Sequence, residues 1–300
     1  MPDDDRLDIP ASLVRQLVAT QFPAWAGLGV RPVVPGGWDH RSFRLGDELL
    51  VRMPSAARYA AQVEKENRWL PRLAPHLPLP IPTPLARGMP DARYPWSWSV
   101  YRWIDGASLD RARVDDDVSL ACTLGAFLAA LHQIDTTGGP AAGPHNFFRG
   151  GPLSVYDEET RTAIDTLGPR VNGPAVTAVW RTALASSWDG TPVWVHGDVS
   201  VGNLLVRKGR LAAVIDFGSM GVGDPACDLT MAWTRFSGPA RAVFRTALPF
   251  DEATWSRAAG WALWKAVITL AAEPDASSSR AHHADRVIQS LLAHRTRCGR

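Results

Sequence analysis

Cysteine, lysine and long apolar runs are all scarce in this chain, and each shortage excludes something. The three cysteines, Cys122, Cys227 and Cys298, are odd in number and widely spaced, with no CxxC pair. A disulfide framework or a thiolate zinc site is therefore not expected, and a reducing, cytoplasmic setting fits. Lysine occurs only at 65, 208 and 265 among 32 basic residues. We read that bias as compositional. No apolar stretch reaches bilayer length: WALWKAVITLAA is among the longest, and it carries a charge. The acidic start MPDDDRLDIP has no apolar core of a leader peptide. A net charge of +2, with no basic arm, gives no field for nucleic acid. Neither nucleic acid nor a membrane is expected as a partner.

What is present is enough apolar residue, 46% of 300, for one large or two-lobed body. Residues 11–22 have helical spacing, with Ser12 as a candidate cap. VVPGGWDHRSFRL and ELLVRMP read as two or three antiparallel strands, and AARYAAQVEKENRWLPRLA as a helix. The Pro-rich HLPLPIPTPLA reads as an extended connection and SWSVYRWI as a strand. After Ile104 the pattern turns helical, over 116–133, 156–167, 174–188 and most of 225 to the end. Two short strands at 203–207 and 211–216 interrupt it. The expected division is thus 1–104, strand-rich, and 105–300, helix-rich, with a ligand cleft at the junction.

The chemistry concentrates in HGDVSVGNLL and in VIDFG, a few residues further on. The first puts Asp198 and Asn203 on one Gly-flanked loop before a strand, and the second delivers Asp216 at a strand end, with Gly218 for a sharp turn. Two carboxylates and an amide, without clustered His or Cys, suit a hard cation such as Mg²⁺. An Asp with no metal to hold is then free to accept a hydroxyl proton, which is the division of labour of phosphoryl transfer. The bland alternative, a solvated turn with incidental polar residues, does not account for the second motif at this distance.

HGDVSVGNLLV and VIDFGSMGVGDPACDL resemble the two signatures of the aminoglycoside phosphotransferase family, relatives of protein kinases and choline kinases. The resemblance implies an α+β, two-lobed, protein-kinase-like fold: a small N-lobe of antiparallel sheet plus helix, and a larger, mainly helical C-lobe. It implies ATP or GTP as co-substrate, Mg²⁺, and a small-molecule hydroxyl as acceptor. By the same resemblance Asp198 is the catalytic Asp, Asn203 and Asp216 hold Mg²⁺, and His196 and Asp228 brace the loop. Gly36 and Gly37 cover the phosphates. Arg52 stands where the family usually carries a Lys, with Glu66 as its helix partner in preference to Glu64. Arg102 and Ile104 offer backbone groups to the purine, with Trp103 between them and Tyr101 behind.

Competing readings stay open at this level. The alternative for Arg52 is an exposed strand residue in an Arg-rich chain, and for Glu66 a solvated helix face. A housekeeping kinase for an amino alcohol or sugar has the same motifs, and an impaired nucleotide-binding module would be supported by Arg52 alone. Metal-dependent hydrolysis needs more converging ligands than are visible. His132 is expected to be packed, and the His282–His283 pair to lie at the surface. Trp255, Trp261 and Trp264 either line an acceptor pocket or form one buried face. From residue 231 onward there are ten basic and five acidic residues. That balance repels polycations, and Trp255, Trp261 and Trp264 offer π-rich surface instead; together they predict an acceptor of low positive charge with an apolar portion, macrolide-like. Asp157, Glu158 and Glu159 would reverse the sign if they entered the pocket.

Overall fold

The computed structural model describes residues 5–37 and 39–298. The acidic start through Asp4, Trp38 and the side chain of Cys298 lie outside the described residues. Cys122 and Cys227 are free thiols.

The N-terminal part is a five-stranded antiparallel sheet in the order β1-β2-β3-β5-β4. Its strands are β1 (Val30–Pro32), β2 (His40–Leu45), β3 (Leu49–Pro54), β4 (Pro84–Gly88) and β5 (Trp98–Arg102). The Pro-rich connection is not extended chain throughout: it ends in β4. A proline tolerates an edge position because no ladder donor is needed on that side. Helix α1 (Ala11–Gln21) packs Val14, Leu17 and Val18 into a core with Phe43, Val51, Met53, Trp98 and Val100. Its N-cap is Pro10, with no side-chain capping bond, so Ser12 lies inside the helix and is not the cap.

Helix α2 (Ala57–Leu73) buries Tyr59, Gln62, Val63, Glu66, Trp69, Leu70 and Leu73 on one face. This face joins the other, larger core: Trp69 meets Trp194 at 4.8 Å between ring centroids. The N-terminal helix that carries Glu66 is therefore cemented to the C-terminal part. Residues 103–106 link β5 to β6 (Ala107–Ser108), which pairs with β8 (Leu204–Arg207), itself paired with β9 (Arg210–Val214). A two-stranded pair joins β7 (Val193–Val195) and β10 (Gly221–Gly223). Around these pack α3 (Asp117–His132), α4 (Asp157–Leu167), α5 (Gly173–Leu184), α6 (Met231–Thr234), α7 (Gly238–Ala247), α8 (Glu252–Ala272) and α9 (Ser279–Cys298). No described helix is long and apolar enough to cross a membrane.

His132 is buried against Phe250, and burial pushes its imidazole down to about 4. His282 and His283 are exposed. Trp255, Trp261 and Trp264 are each at most 5% exposed, so they form the buried face and offer no acceptor surface. The expectation of a π-rich acceptor wall from these three rings is corrected accordingly.

Candidate active site

The loop 196–203 is fixed from below. Asp228, fully buried, accepts the His196 and Gly197 backbone N–H groups, both at 2.7 Å. Burial outweighs these bonds and pushes the Asp228 carboxyl above its ordinary range. His196 donates its Nε2–H to the Ile215 carbonyl at 3.0 Å and accepts the Asp198 N–H on Nδ1 at 3.2 Å. Those two partners fix its tautomer, and the ring packs edge-on against Phe217. Gly197 sits at φ +84°, where an added Cβ would lie 2.3 Å from the Ser219 carbonyl oxygen, so only glycine fits.

The exposed Asp198 carboxylate is oriented by Asn203. The Asn203 Nδ2 donates to the Asp198 carbonyl at 2.9 Å and to its Oδ2 at 3.0 Å. Both partners are acceptors, so the amide must turn its NH₂ toward them and its oxygen away. The Ile215 N–H donates to the Asn203 carbonyl at 2.9 Å, which ties the loop to the residue preceding Asp216. Asp216 itself is a non-glycine residue at φ +67°, a strained conformation of the kind that gathers at functional sites.

Arg52 on β3 reaches across to both acids. Its Nη1 is 3.2 Å from Glu66 Oε1 and its Nη2 is 2.6 Å from Asp216 Oδ1. Burial alone would lower the Arg52 pKa, but Glu66 and then Asp216 outweigh it and hold the guanidinium charged. Desolvation likewise opposes ionisation of Asp216, and the Arg52 charge overrides it. Glu66 is buried whereas Glu64 is exposed, which separates the two helix candidates. The Tyr101 hydroxyl donates to Glu66 Oε2, and its ring lies 5.9 Å from the Arg52 guanidinium carbon. Tyr101 thus props the ion pair as well as lining the cleft.

A cleft of about 510 Å³ runs along these groups. Gly36, Gly37, Arg52, Tyr101, Arg102, Trp103, Ile104, Asn203 and Asp216 line it, whereas Asp198 and Glu66 stand outside that lining. A Cβ at Gly37 would press within 2.9 Å of the His40 carbonyl oxygen, while one at Gly36 would meet only the Val33 carbonyl oxygen at 3.9 Å. The Arg102 N–H donates to the Thr83 carbonyl at 3.0 Å. Trp103 turns its indole N–H to Asp105 at 2.8 Å and lies under the Arg44 guanidinium, 4.0 Å from the ring centroid.

Two groups escaped the sequence reading. Asp39 also lines the cleft, and burial followed by the Asp216 charge raises its carboxyl to about 6. Its place in GGWDHRSF, directly after the glycine turn, was the available signal. Lys65 is 8% exposed, and its Nζ reaches the Met220 carbonyl at 3.0 Å, His145 Nδ1 at 3.2 Å and the His145 carbonyl at 3.4 Å. Three acceptors match the three protons of an ammonium. This clamp ties α2, and so Glu66, to the segment that follows Asp216.

Lys65→Met removes the donor from those buried carbonyls and is expected to cost about 1–3 kcal/mol, read as a lower thermal midpoint. Burial lowers the Lys65 pKa from 10.5 to about 8. The folded chain then binds fewer protons than the unfolded one between those pH values, so wild-type stability relative to Lys65→Met should rise from pH 8 to 10.5. A flat difference across that window would remove the buried-ammonium account.

A sheet-plus-helix lobe over a helical lobe, with a carboxylate–amide loop and a strand-end Asp at their cleft, defines a protein-kinase-like phosphotransfer enzyme. The model of the phosphotransferase enzyme family matches residues 31–261, and the chain belongs to that family of small-molecule phosphotransferases. Solved structures share the fold. The GDP and kanamycin complex of APH(2")-IIia is 18% identical, at a TM-score of 0.72 over 94% of this chain and 98% of that one. The macrolide 2'-phosphotransferase MphH from Brachybacterium faecium is 20% identical, at 0.59 over 94% and 97%. The streptomycin–ATP ternary complex of APH(2")-IIa is 17% identical, at 0.59 over 96% and 97%. No curated protein matches the sequence significantly.

Proposed function

We propose that the enzyme transfers the γ-phosphoryl group of ATP or GTP to a hydroxyl of a small molecule of low positive charge, an antibiotic of macrolide type being one candidate. The observation that carries this is the Asn203 amide. It holds Asp198 through its nitrogen, is tied through its backbone to Ile215 beside Asp216, and its side-chain oxygen has no hydrogen-bond donor among the described residues. In the reaction the acceptor O–H loses its proton to Asp198 as the new O–P bond forms. The bond from the γ-phosphorus to the β–γ bridging oxygen breaks, and the nucleoside diphosphate leaves. ATP and GDP in the solved relatives support a nucleotide co-substrate. We assign residues 1–104 to nucleotide binding and 105–300 to catalysis and acceptor binding, in a cytoplasmic enzyme.

The residues fit Mg²⁺. The free Asn203 oxygen and the Asp216 carboxylate are a small all-oxygen set, as expected for an ion that shares its shell with phosphates. Asp39, raised to about 6 by burial and then by the Asp216 charge, adds a further carboxyl to the same cleft. Bound there, Mg²⁺ would offset charge on the phosphates. Arg52, held charged by Glu66 and Asp216, lines the cleft, which speaks for competence over an impaired module. Asp216→Ala should cut the Mg²⁺-dependent gain in nucleotide affinity by about 10- to 100-fold or more, measured by titrating nucleotide with and without Mg²⁺. An unchanged gain would show that Asp216 is no ligand.

The surroundings support the acceptor charge. Asp157 is taken by Arg161 at 2.8 Å and by the Trp180 indole at 2.7 Å, and Glu159 by the Trp264 indole at 2.7 Å. The deciding assay offers polycationic kanamycin-type and weakly charged macrolide-type acceptors with ATP and GTP at low salt, reading added phosphate by mass. Transfer to the polycations alone would overturn the acceptor class, and transfer to no hydroxyl compound would overturn the reaction.

A further inference from the structure

The loop that carries Asp198 packs against a cation that the proposed phosphoryl transfer does not use. Arg149 lies against the catalytic loop: a Cβ built on Gly197 would be 3.0 Å from the Arg149 Cβ. Its guanidinium carbon stands 5.0 Å from the Trp261 ring centroid and 4.7 Å from that of Trp264. Trp264 is itself immobilised by its bond to Glu159 and by stacking on Tyr156 at 4.0 Å. The buried tryptophans therefore serve as a floor for a cation. Arg149 Nε is buried with no hydrogen-bond partner among the described residues.

The backbone that presents Arg149 is strained and braced. Phe147 and Phe148 are consecutive non-glycine residues at φ +53° and +54°. Such conformations cost about 1–3 kcal/mol each and persist only where neighbours over-determine them. Here the fully buried Asn146 accepts the Gly143 N–H at 3.0 Å and donates to the Arg149 carbonyl at 2.9 Å. A second cation follows on α8: the Lys265 ammonium lies 5.8 Å from the Trp264 ring centroid. Lys265 keeps an exposed flank, yet the packing around it and then the Arg149 charge push its pKa below the usual lysine range. Arg280 adds to that push, while Asp198 and Glu159 oppose it. A guanidinium laid on aromatic faces keeps its donor edge for planar oxyanions, and two crowded cations are relieved by one.

We infer that Arg149, with Lys265 beside it, recognises an oxyanion on the acceptor, a carboxylate or phosphate group close to the hydroxyl that meets Asp198. The inference rests on the phosphotransferase reading and narrows its acceptor from weakly charged to anionic at one end.

The test is binding rather than turnover, so that the two readings fail separately. The full chain, saturated with Mg²⁺ and a non-hydrolysable nucleoside triphosphate analogue, is titrated calorimetrically with para-(hydroxymethyl)benzoate, its neutral amide and its benzylamine counterpart. A phosphate monoester of the same skeleton separates phosphate from carboxylate preference. The anionic probes should bind best. Arg149→Met should weaken them about tenfold or more while leaving the amide unchanged. Arg149→Lys should lose less, and Lys265→Gln less than Arg149→Met. Arg149→Lys and Lys265→Gln carry the test if Arg149→Met does not fold. Equal or tighter binding of the amide or amine, no saturable anion binding, no loss in the variants, or anion binding only when the nucleotide analogue is absent would each overturn the inference. The last result would assign these cations to the nucleotide phosphates.

Discussion

Asp198→Asn should lower turnover by about 100- to 10,000-fold, with nucleotide affinity and the thermal midpoint close to wild type. The side chain is exposed, so the substitution disturbs no core. An asparagine oxygen can still accept from Asn203 Nδ2, which holds Asp198 Oδ2 at 3.0 Å. The His196 Nδ1 continues to accept the backbone N–H of residue 198, since that bond does not involve the side chain. What disappears is the negative charge beside the acceptor hydroxyl and the ability to take its proton. Steady-state phosphate transfer, a melting curve and a nucleotide titration together isolate that loss. Turnover near wild type would remove Asp198 as the base, whatever the fold.

Asp228 should give the largest effect on stability. Its oxygens each accept one buried N–H, from His196 and from Gly197. Hydrogen bonds to a charged group contribute about 1.5–3 kcal/mol apiece, and unmade ones leave desolvated donors behind. Asp228→Ala should therefore cost about 3–5 kcal/mol, a fall of roughly 6–20 °C in thermal midpoint for a chain of this size. Asp228→Asn should be nearly as damaging, because its NH₂ would face one of the two donors. Turnover should fall in both variants, since the loop they release carries Asp198. A midpoint within about 1 °C of wild type would show that the loop is braced elsewhere.

The motif residues were legible because their chemistry depends on short-range spacing. Asp198 and Asn203 share one loop, and Asp216 ends the hairpin strand that follows, so local geometry brings the three together. The helices over 116–133 and 156–167 were legible for a similar reason, periodic burial over several turns. The strand β4 was not, because proline content argues against a ladder until an edge is available. The three-residue strands β7 and β10 carry no periodic signal of their own. Arg52 could be read as functional or as incidental, and the sequence had no means of choosing. The structure removes the exposed reading, because Glu66 and Asp216 arrive from α2 and from just beyond β9 to meet one buried guanidinium.

The sequence by itself marked a strand-rich N-terminal and a helix-rich C-terminal part and set Asp198, Asn203 and Asp216 close together, because each is written in hydrophobic period or in contiguous spacing. Tertiary structure alone decided the Lys65 clamp, the prop from Tyr101, the burial of Trp255, Trp261 and Trp264, and the place of Arg149 over two of those rings. All of these join residues far apart in the chain. Whether a tryptophan is wall or floor, and whether a cation is solvated or held against a π face, depends on what packs over it, and no local pattern carries that information.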